Sequence, residues 1–268
     1  MTNLLTNGIG GTVGDTLATC KPLYTKSTIW YVSSVTGSNS YIGTDREHPF
    51  ATLATAVTSS AANDIIVLLT GHTETLTAAQ SLAKALTIVG EGTSGGKPAV
   101  SFQMNSAANL NLFSVSAANV QLRNIYIKTN LQTSSAVAVT VNASDSQFIG
   151  CYWELNTTDT GGLLLTTGAD RALVKNCTFV CTNTSGAAAT ATPTYGLSIG
   201  SIADIEIQGT IFNGGAFGFP QNAILGATVT RLRADSLSML NGADASLGAS
   251  TTGWFNPQTV TGGSNVSW

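Results

Sequence analysis

The sequence predicts an all-β chain: a single-stranded right-handed parallel β-helix with a short N-terminal capping helix and irregular N- and C-terminal arms. Three observations predict it. First, the segment 119–127 (Asn-Val-Gln-Leu-Arg-Asn-Ile-Tyr-Ile) recurs at 146–153, 172–179, 205–212 and, more weakly, 230–237, about once every 26 residues. Leu122, Phe148, Val174, Ile207 and Leu232 align at steps of 26, 26, 33 and 25 residues. Each copy is two short apolar runs around an Asn, Gly or Ala, which is two strands of one coil flanking a bend. A period in this range marks stacked units that cannot bury their apolar faces alone. Second, only 9% of the 268 residues are Asp, Glu, Lys or Arg, against about 25% in an ordinary soluble domain. Third, charges and cysteines recur at the same spacing as the apolar residues.

The elements follow in order. Residues 1–26 are rich in Gly and Thr and read as an N-terminal arm. Residues 27–240 form the β-helix domain. It opens on an alternating strand at 28–32 and a polar loop at 33–48. Phe50, Leu53, Ala54 and Val57 have helical spacing, so 49–62 is predicted to be a short amphipathic helix. The run at 64–69 (Asp-Ile-Ile-Val-Leu-Leu) is apolar almost throughout, as in strands covered on both faces. A helix laid across the first coil would cover its open strand edge and its apolar bore. Coils then follow from 86 to about 240, roughly seven turns, or a rod of about 30–35 Å at ~4.8 Å per rung. The long step from Val174 to Ile207 puts a lateral loop at 185–193. Residues 241–268 lose the repeat and read as a tail carrying Trp254, Phe255 and Trp268.

The repeat also places polar groups. Cys151 and Cys177 share one inward coil position with Ile125 and Thr210. They read as free, stacked thiols behaving as small hydrophobes; a disulfide between adjacent rungs is the alternative. Cys20, Cys151, Cys177 and Cys181 include no CxxC pair, so no zinc site and no other metal or cofactor is expected. Asp145 with Arg171, Lys128 with Glu154, and Glu206 with Arg231 stand at the rung spacing and are expected to be neighbours on the outer face.

Candidate chemistry is sparse. A net charge of −3 offers no basic field for nucleic acid. No stretch nears the ~20 apolar residues of a membrane span, and the first residues carry no basic region of a signal peptide, so synthesis without a secretion address is expected. Asp45, Glu47 and His48 lie together on one loop, where Asp45 is expected to cap the following helix; a glycosidase needs two carboxylates facing one another across a groove. His72 could serve as a general base, but it follows a buried strand, where Glu74 has backbone amides to bond. Arg123, Lys175 and Arg233 form one outward stripe, with Ile149 and Gln208 interleaved. That stripe would suit an interface, an anionic-glycan groove, or no partner. The Gly-rich stretch 90–96 lacks the Lys-Ser/Thr of a phosphate loop and reads as a turn. Asn142, Asn156 and Asn183 begin Asn-x-Ser/Thr triplets that composition alone explains.

With Asn124 and Asn176 at its bends, the coil pattern resembles right-handed parallel β-helix proteins of the pectate-lyase-like superfold. The opening resembles the capped start of β-helix proteins encoded by tailed bacteriophages; the residues that carry this are 31–37, 43–45, 49–57, 64–69 and 71–75. The resemblance spans roughly 28–240. It implies a virion protein, although the superfold hosts many functions. The lyases among its members carry an acidic calcium cluster beside an Arg or Lys base, and no rung here shows one. The expectation is therefore a non-enzymatic capsid decoration (cement) protein, made in the bacterial cytoplasm and carried on the capsid surface. Its partners would be the major capsid protein and itself, as a homotrimer. Trp254, Phe255 and Trp268 would be docking anchors, since aromatic residues dominate interface hot spots. The alternative is a tailspike-like protein that binds or degrades a host polysaccharide, with Tyr126 and Tyr152 as its aromatic column.

Overall fold

The computed structural model describes residues 27–104, 111–129, 137–155, 161–182, 195–215, 219, 222–241, 243–248, 251–260 and 266–267. The arm at 1–26, the lateral loop at 185–193, Cys20, Asn156, Asn183 and Trp268 lie outside them.

The chain is a parallel β-helix with three faces. The first face stacks Ile29–Val32, Ile65–Leu68, Thr87–Gly90, Gln121–Arg123, Gln147–Ile149, Leu173–Lys175 and Glu206–Gln208, then the start of the long strand Leu232–Leu240. The second stacks Thr73–Leu76, Ser101–Met104, Tyr126–Lys128, Tyr152–Leu155, Thr178–Cys181 and Ile211–Asn213, then the end of that same long strand. The third runs from Gln80–Leu82 through Phe113–Val115, Val137–Val141, Gly161–Leu165, Tyr195–Ile199, Asn222–Gly226 and Ala245–Leu247 to Val266–Ser267. Every pairing within a face is parallel and joins one coil to the next, with Leu122 against Phe148 and Phe148 against Val174.

In-register stacking turns each inward position into a column. The first face sends in Ile66, Ile88, Leu122, Phe148, Val174 and Ile207, all fully buried. The second sends in Phe102, Ile127, Trp153, Phe179 and Phe212. Trp153 stacks on Phe179 with centroids 4.4 Å apart, and Phe179 on Phe212 at 5.0 Å. Each fully buried Leu, Ile, Val or Phe contributes about 1.5–3 kcal/mol, so the columns supply most of the driving force. Cys151 and Cys177 do stack inward as free thiols, and Cys181 is buried as well. The Cys177 Sγ lies 3.3 Å from the Phe148 carbonyl, the coil below.

The bends between faces need left-handed backbone, and the sequence supplies it rung by rung. Between the first and second faces stand Asn124, Gly150, Asn176, Gly209 and Ser236, with φ from 51° to 63°. Asn and Gly tolerate this region best. The Asn124 amide also bonds the carbonyls of Gly90 and Gly92 at 2.7 and 2.9 Å, tying its bend to the coil below. Before the first face stand Asn119, Asp145, Arg171, Asp204 and Arg231, with φ from 58° to 62°. The Arg171 guanidinium grips the Asp145 carboxylate at 2.7 and 2.6 Å, as expected. Arg231 grips Asp204 in the same two-pronged way.

That last pair corrects the expected partnership of Glu206 with Arg231. The coil of Leu232–Leu240 runs two residues later than the apolar pattern suggests: Ile207 pairs with Ala234, not Leu232, and Glu206 with Arg233. Both Leu232 and Ala234 are buried, and the larger side chain draws the alignment to the wrong one. Lys128 and Glu154 are register partners, but the ammonium bound to Glu154 is that of Lys97, at 2.9 Å.

Two further expectations change. The helix is shorter than 49–62: it spans Leu53–Ser59, with Thr52 as its N-cap, its side chain accepting from the Thr55 amide. Pro49 cannot donate, and Phe50 is already committed to strand pairing, its N–H bonded to Tyr31 at 2.9 Å. The segment at 241–268 is not an irregular tail over its described part. Ala245–Leu247 and Gly253–Val260 add another coil, the latter in parallel register on Leu232–Leu240 with two bulges. Asn256 and Pro257 interrupt the apolar rhythm that would have revealed it.

Candidate functional site

Among the described residues, the polar side chains gather in the capped end and on the outer sides of the first and second faces. At the N-terminal end, the loop between Ile29–Val32 and the helix folds over the first strand. Tyr31 donates its N–H to Gly43, and Ser33 donates to Phe50. Asp45 does not cap the helix. Its carboxylate sits 2.8 Å from the His48 Nδ1 and accepts the Glu47 amide at 3.0 Å, and these bonds hold its pKa below the ordinary value. Arg46 reaches out to Glu91, with both nitrogens at 2.6 Å from the carboxylate. This loop carboxylate is bound to its own loop and does not face a second acid across a groove.

The helix cap uses other residues. Glu74 accepts the Leu53 amide at 2.9 Å, at the first helical residue, where an N–H has no partner within the helix. His72 is fully buried. Its Nδ1 accepts the Ser34 amide at 2.9 Å, and its Nε2 lies 3.3 Å from the Glu74 carboxylate without forming a hydrogen bond. The pair thus joins three segments of the end plug. Asp64 accepts from the Thr28 amide, the Trp30 indole and the Ala61 amide at 2.8–2.9 Å. Burial alone would raise its pKa; the three donors and nearby Lys84 outweigh it and hold the carboxyl below its usual range. Lys84 closes the other end of the helix, its ammonium 2.6–3.2 Å from the carbonyls of Val57, Thr58 and Ser60. These signals were absent from the repeat, because the cap stands outside it.

On the outer side of the second face, Tyr126 and Tyr152 stand in one outward column, edge to face at 5.3 Å. Lys97 comes from the short antiparallel hairpin Thr93–Ser94/Lys97–Pro98. Its ammonium lies 4.8 and 4.7 Å from the two ring centroids, and Lys128 lies 4.7 Å from that of Tyr126. The Tyr126 hydroxyl and Lys97 both donate to Glu154. Burial, then the bond to Glu154, pushes the Tyr126 phenol up to about 12. Burial would lower Lys97, but its bonds to Glu154 and Tyr126 raise it instead. Burial would raise Glu154, but the same bonds lower it. The three groups lock one another in their ordinary charge states, and the cations cover the ring faces that a sugar would stack on.

The basic stripe is shorter than expected. Arg123, Ile149, Lys175 and Gln208 do share one outward column, but its next member is Asp235. Arg233 stands in the neighbouring column, its Nη1 3.3 Å from Glu206. The next residue in that column is Trp254, in register with Arg233 and 64% exposed. Asn256 bonds the Asp235 carboxylate at 3.3 Å beside it. For Phe255 the structure describes the backbone alone, in register with Ala234.

Exposed apolar side chains are gathered at the ends. Among the described residues, the large ones are Ile29, Val35, Tyr41 and Ile42 on the capped end, Trp254 on the last coil, and Ile211 between. The third face turns outward Ser81, Ser114, Thr140, Leu164, Ser198, Leu225 and Ser246, a column without charge. Among the described residues, no group of three or more His, Cys, Asp or Glu could hold a metal ion, and no helix is long and apolar enough to cross a membrane.

No family model matches the chain, and no curated protein matches it. Among solved structures, a pectin methylesterase in complex with hexasaccharide VII is similar over 85% of this chain and 68% of that chain, at 12% identity and a TM-score of 0.43. The parallel β-helix rests on the strand register of the molecule itself.

Proposed function

We propose that this chain is a non-enzymatic structural component of a bacteriophage particle, a capsid decoration protein that docks through its capped end. The observation that carries the reading is the exposure of Ile29, Val35, Tyr41 and Ile42, four of the six large exposed apolar side chains among the described residues, all on the first strand and the loop that follows it. Large apolar side chains left exposed in one part of a molecule suit a contact surface. The titratable clusters support it. Asp64, Glu74, His72 and Lys84 are engaged in holding the cap, and Glu154 in a closed surface network. The uncharged third face suits close lateral packing, since no charge there must lose its water; it is the face on which copies of a homotrimer would meet. The major capsid protein is the proposed partner of the end. The resemblance of the opening residues to phage β-helix proteins supports the virion setting.

Quantitative mass spectrometry of purified particles tests this. Tens to hundreds of copies per particle are expected, and Val35→Asp with Ile42→Asp should abolish attachment while leaving the circular dichroism unchanged. A few copies confined to the tail, together with cleavage of host polysaccharide, would sink the reading. A second reading, a tailspike-like glycan binder, has one observation in its favour: the setting of Trp254.

A further inference from the structure

We infer that the outer side of the last three described rungs of the first face is a carbohydrate-binding surface for a neutral pyranose oligosaccharide, with Trp254 as its stacking floor. This surface lies at the opposite end of the rod from the proposed docking patch, and it does not depend on that reading.

The argument begins with the backbone. Trp254 lies in Gly253–Val260, in register on Leu232–Leu240. Ala234, next to its register partner Arg233, points into the bore and is fully buried. Arg233 and Trp254 therefore point outward, one rung apart, from paired strands rather than from a loop. A side chain on such a base is held in place before a ligand arrives. An exposed indole offers a flat apolar face with a polar N–H at its rim, and pyranose rings offer a matching face of C–H groups with hydroxyls around the edge.

The neighbours supply the hydroxyl partners. Glu206 sits one rung below Arg233 in the same column. Asp235 and Asn256 occupy the adjacent outward column in the two rungs of Arg233 and Trp254. Carboxylates accept, while the guanidinium and the amide donate, so both halves of a hydroxyl's bonding capacity are met. Arg233 keeps 64% of its side chain exposed even while bound to Glu206, leaving guanidinium N–H groups free to face a ligand. Two carboxylates against one guanidinium leave this surface one negative charge, which disfavours a uronate and suits a neutral sugar.

The other aromatic column, Tyr126 and Tyr152, lacks these properties, because Lys97 and Lys128 already lie over its rings. A protein anchor is the competing use of Trp254. Such anchors sit inside a ring of apolar contacts that excludes water, whereas the register neighbours of Trp254 are charged or amide side chains.

The test titrates the full chain with cellopentaose, maltopentaose and the pentamer of N-acetylglucosamine, with pentagalacturonate as the anionic control. Calorimetry and tryptophan fluorescence give the readout. At least one neutral pentasaccharide should bind with a sub-millimolar Kd and change the indole emission, while pentagalacturonate binds more weakly. Trp254→Ala should weaken binding at least about tenfold and Arg233→Ala about threefold to tenfold, each with unchanged circular dichroism. Val35→Asp with Ile42→Asp should leave sugar binding intact, which separates this surface from the docking end. Absence of binding by all three neutral sugars at ~10 mM (about −2.7 kcal/mol) would overturn the inference. Unchanged binding by Trp254→Ala would do so too, as would a preference for the uronate. Loss of particle attachment in Trp254→Ala without any sugar binding would assign the residue to a protein contact instead.

Discussion

The two ends of this rod are finished differently. At the N-terminal end, a two-turn helix, a folded loop and one extra strand close the bore. Nearly every polar group there has a dedicated partner: Asp64 takes three N–H donors, Glu74 takes the first helical amide, and Lys84 takes the last helical carbonyls. At the C-terminal end, Gly253–Val260 lies on Leu232–Leu240 by strand pairing alone, through two bulges. Among the described residues no strand pairs with its outer edge. A solenoid gains stability from each rung's neighbours, so a terminal rung has half the contacts of an interior one. The capped end replaces the missing half with specific bonds; among the described residues, the last rung at the other end has a single neighbour.

The largest effect should come from emptying the plug. Leu53 is the fully buried residue at the start of the helix, and Leu53→Ala should cost about 3 kcal/mol. Leu247→Ala, in the penultimate described strand of the third face, should cost about 1 kcal/mol, because a loosely held end relaxes around the gap. Equal losses in urea midpoints would show that both ends are equally built in.

Asp64→Asn comes next, at about 2 kcal/mol, since an amide nitrogen would face one of the three N–H donors. The sign with pH follows from the depressed pKa of Asp64. Its contribution is complete above the ordinary carboxylate value of about 3.9 and is lost as pH falls through the lower folded value. Thermal melts between pH 5 and pH 2 should therefore fall less steeply for Asp64→Asn than for the parent chain. Parallel curves would remove Asp64 from the cap's acid sensitivity.

Lys84→Met should cost about 1 kcal/mol by freeing the helix's last carbonyls; hydrogen exchange should show the added opening in Leu53–Ser59 and not in Gly253–Val260. The smallest effect belongs to the outer ion pairs. Asp145→Ala, Arg171→Ala and the double variant should give no coupling measurable in a thermal cycle, because exposed pairs of this kind contribute little. A clear coupling would mean that the bend ladder, and not only the bore, holds the rungs.

The middle of the molecule was legible in the sequence because there the local pattern and the tertiary contact are the same thing. A residue in one coil touches the like-placed residue in the next, so Cys151 beside Cys177 and Arg171 on Asp145 could be read from a constant spacing. The legible part ended where the spacing changed. Leu232 outweighed Ala234 in the apolar pattern, yet backbone hydrogen bonds decided the register, and with it the pairing of Arg233 with Glu206 and of Arg231 with Asp204. The site residues shared that fate. Arg233 left the basic stripe, Asp235 entered it, and Lys97 reached Glu154 from a hairpin the repeat does not contain.

The sequence by itself determined the coil: its period, the inward columns, the Asn and Gly at its bends, and the low charge of its surface. These follow from short-range sterics and from burial repeated at a fixed interval. Only the tertiary structure decided how the ends are closed and what stands beside Trp254. Those contacts join residues at no regular separation, such as Glu74 to Leu53, Lys84 to Val57 and Trp254 to Arg233. Such contacts leave no periodic trace in the order of the amino acids.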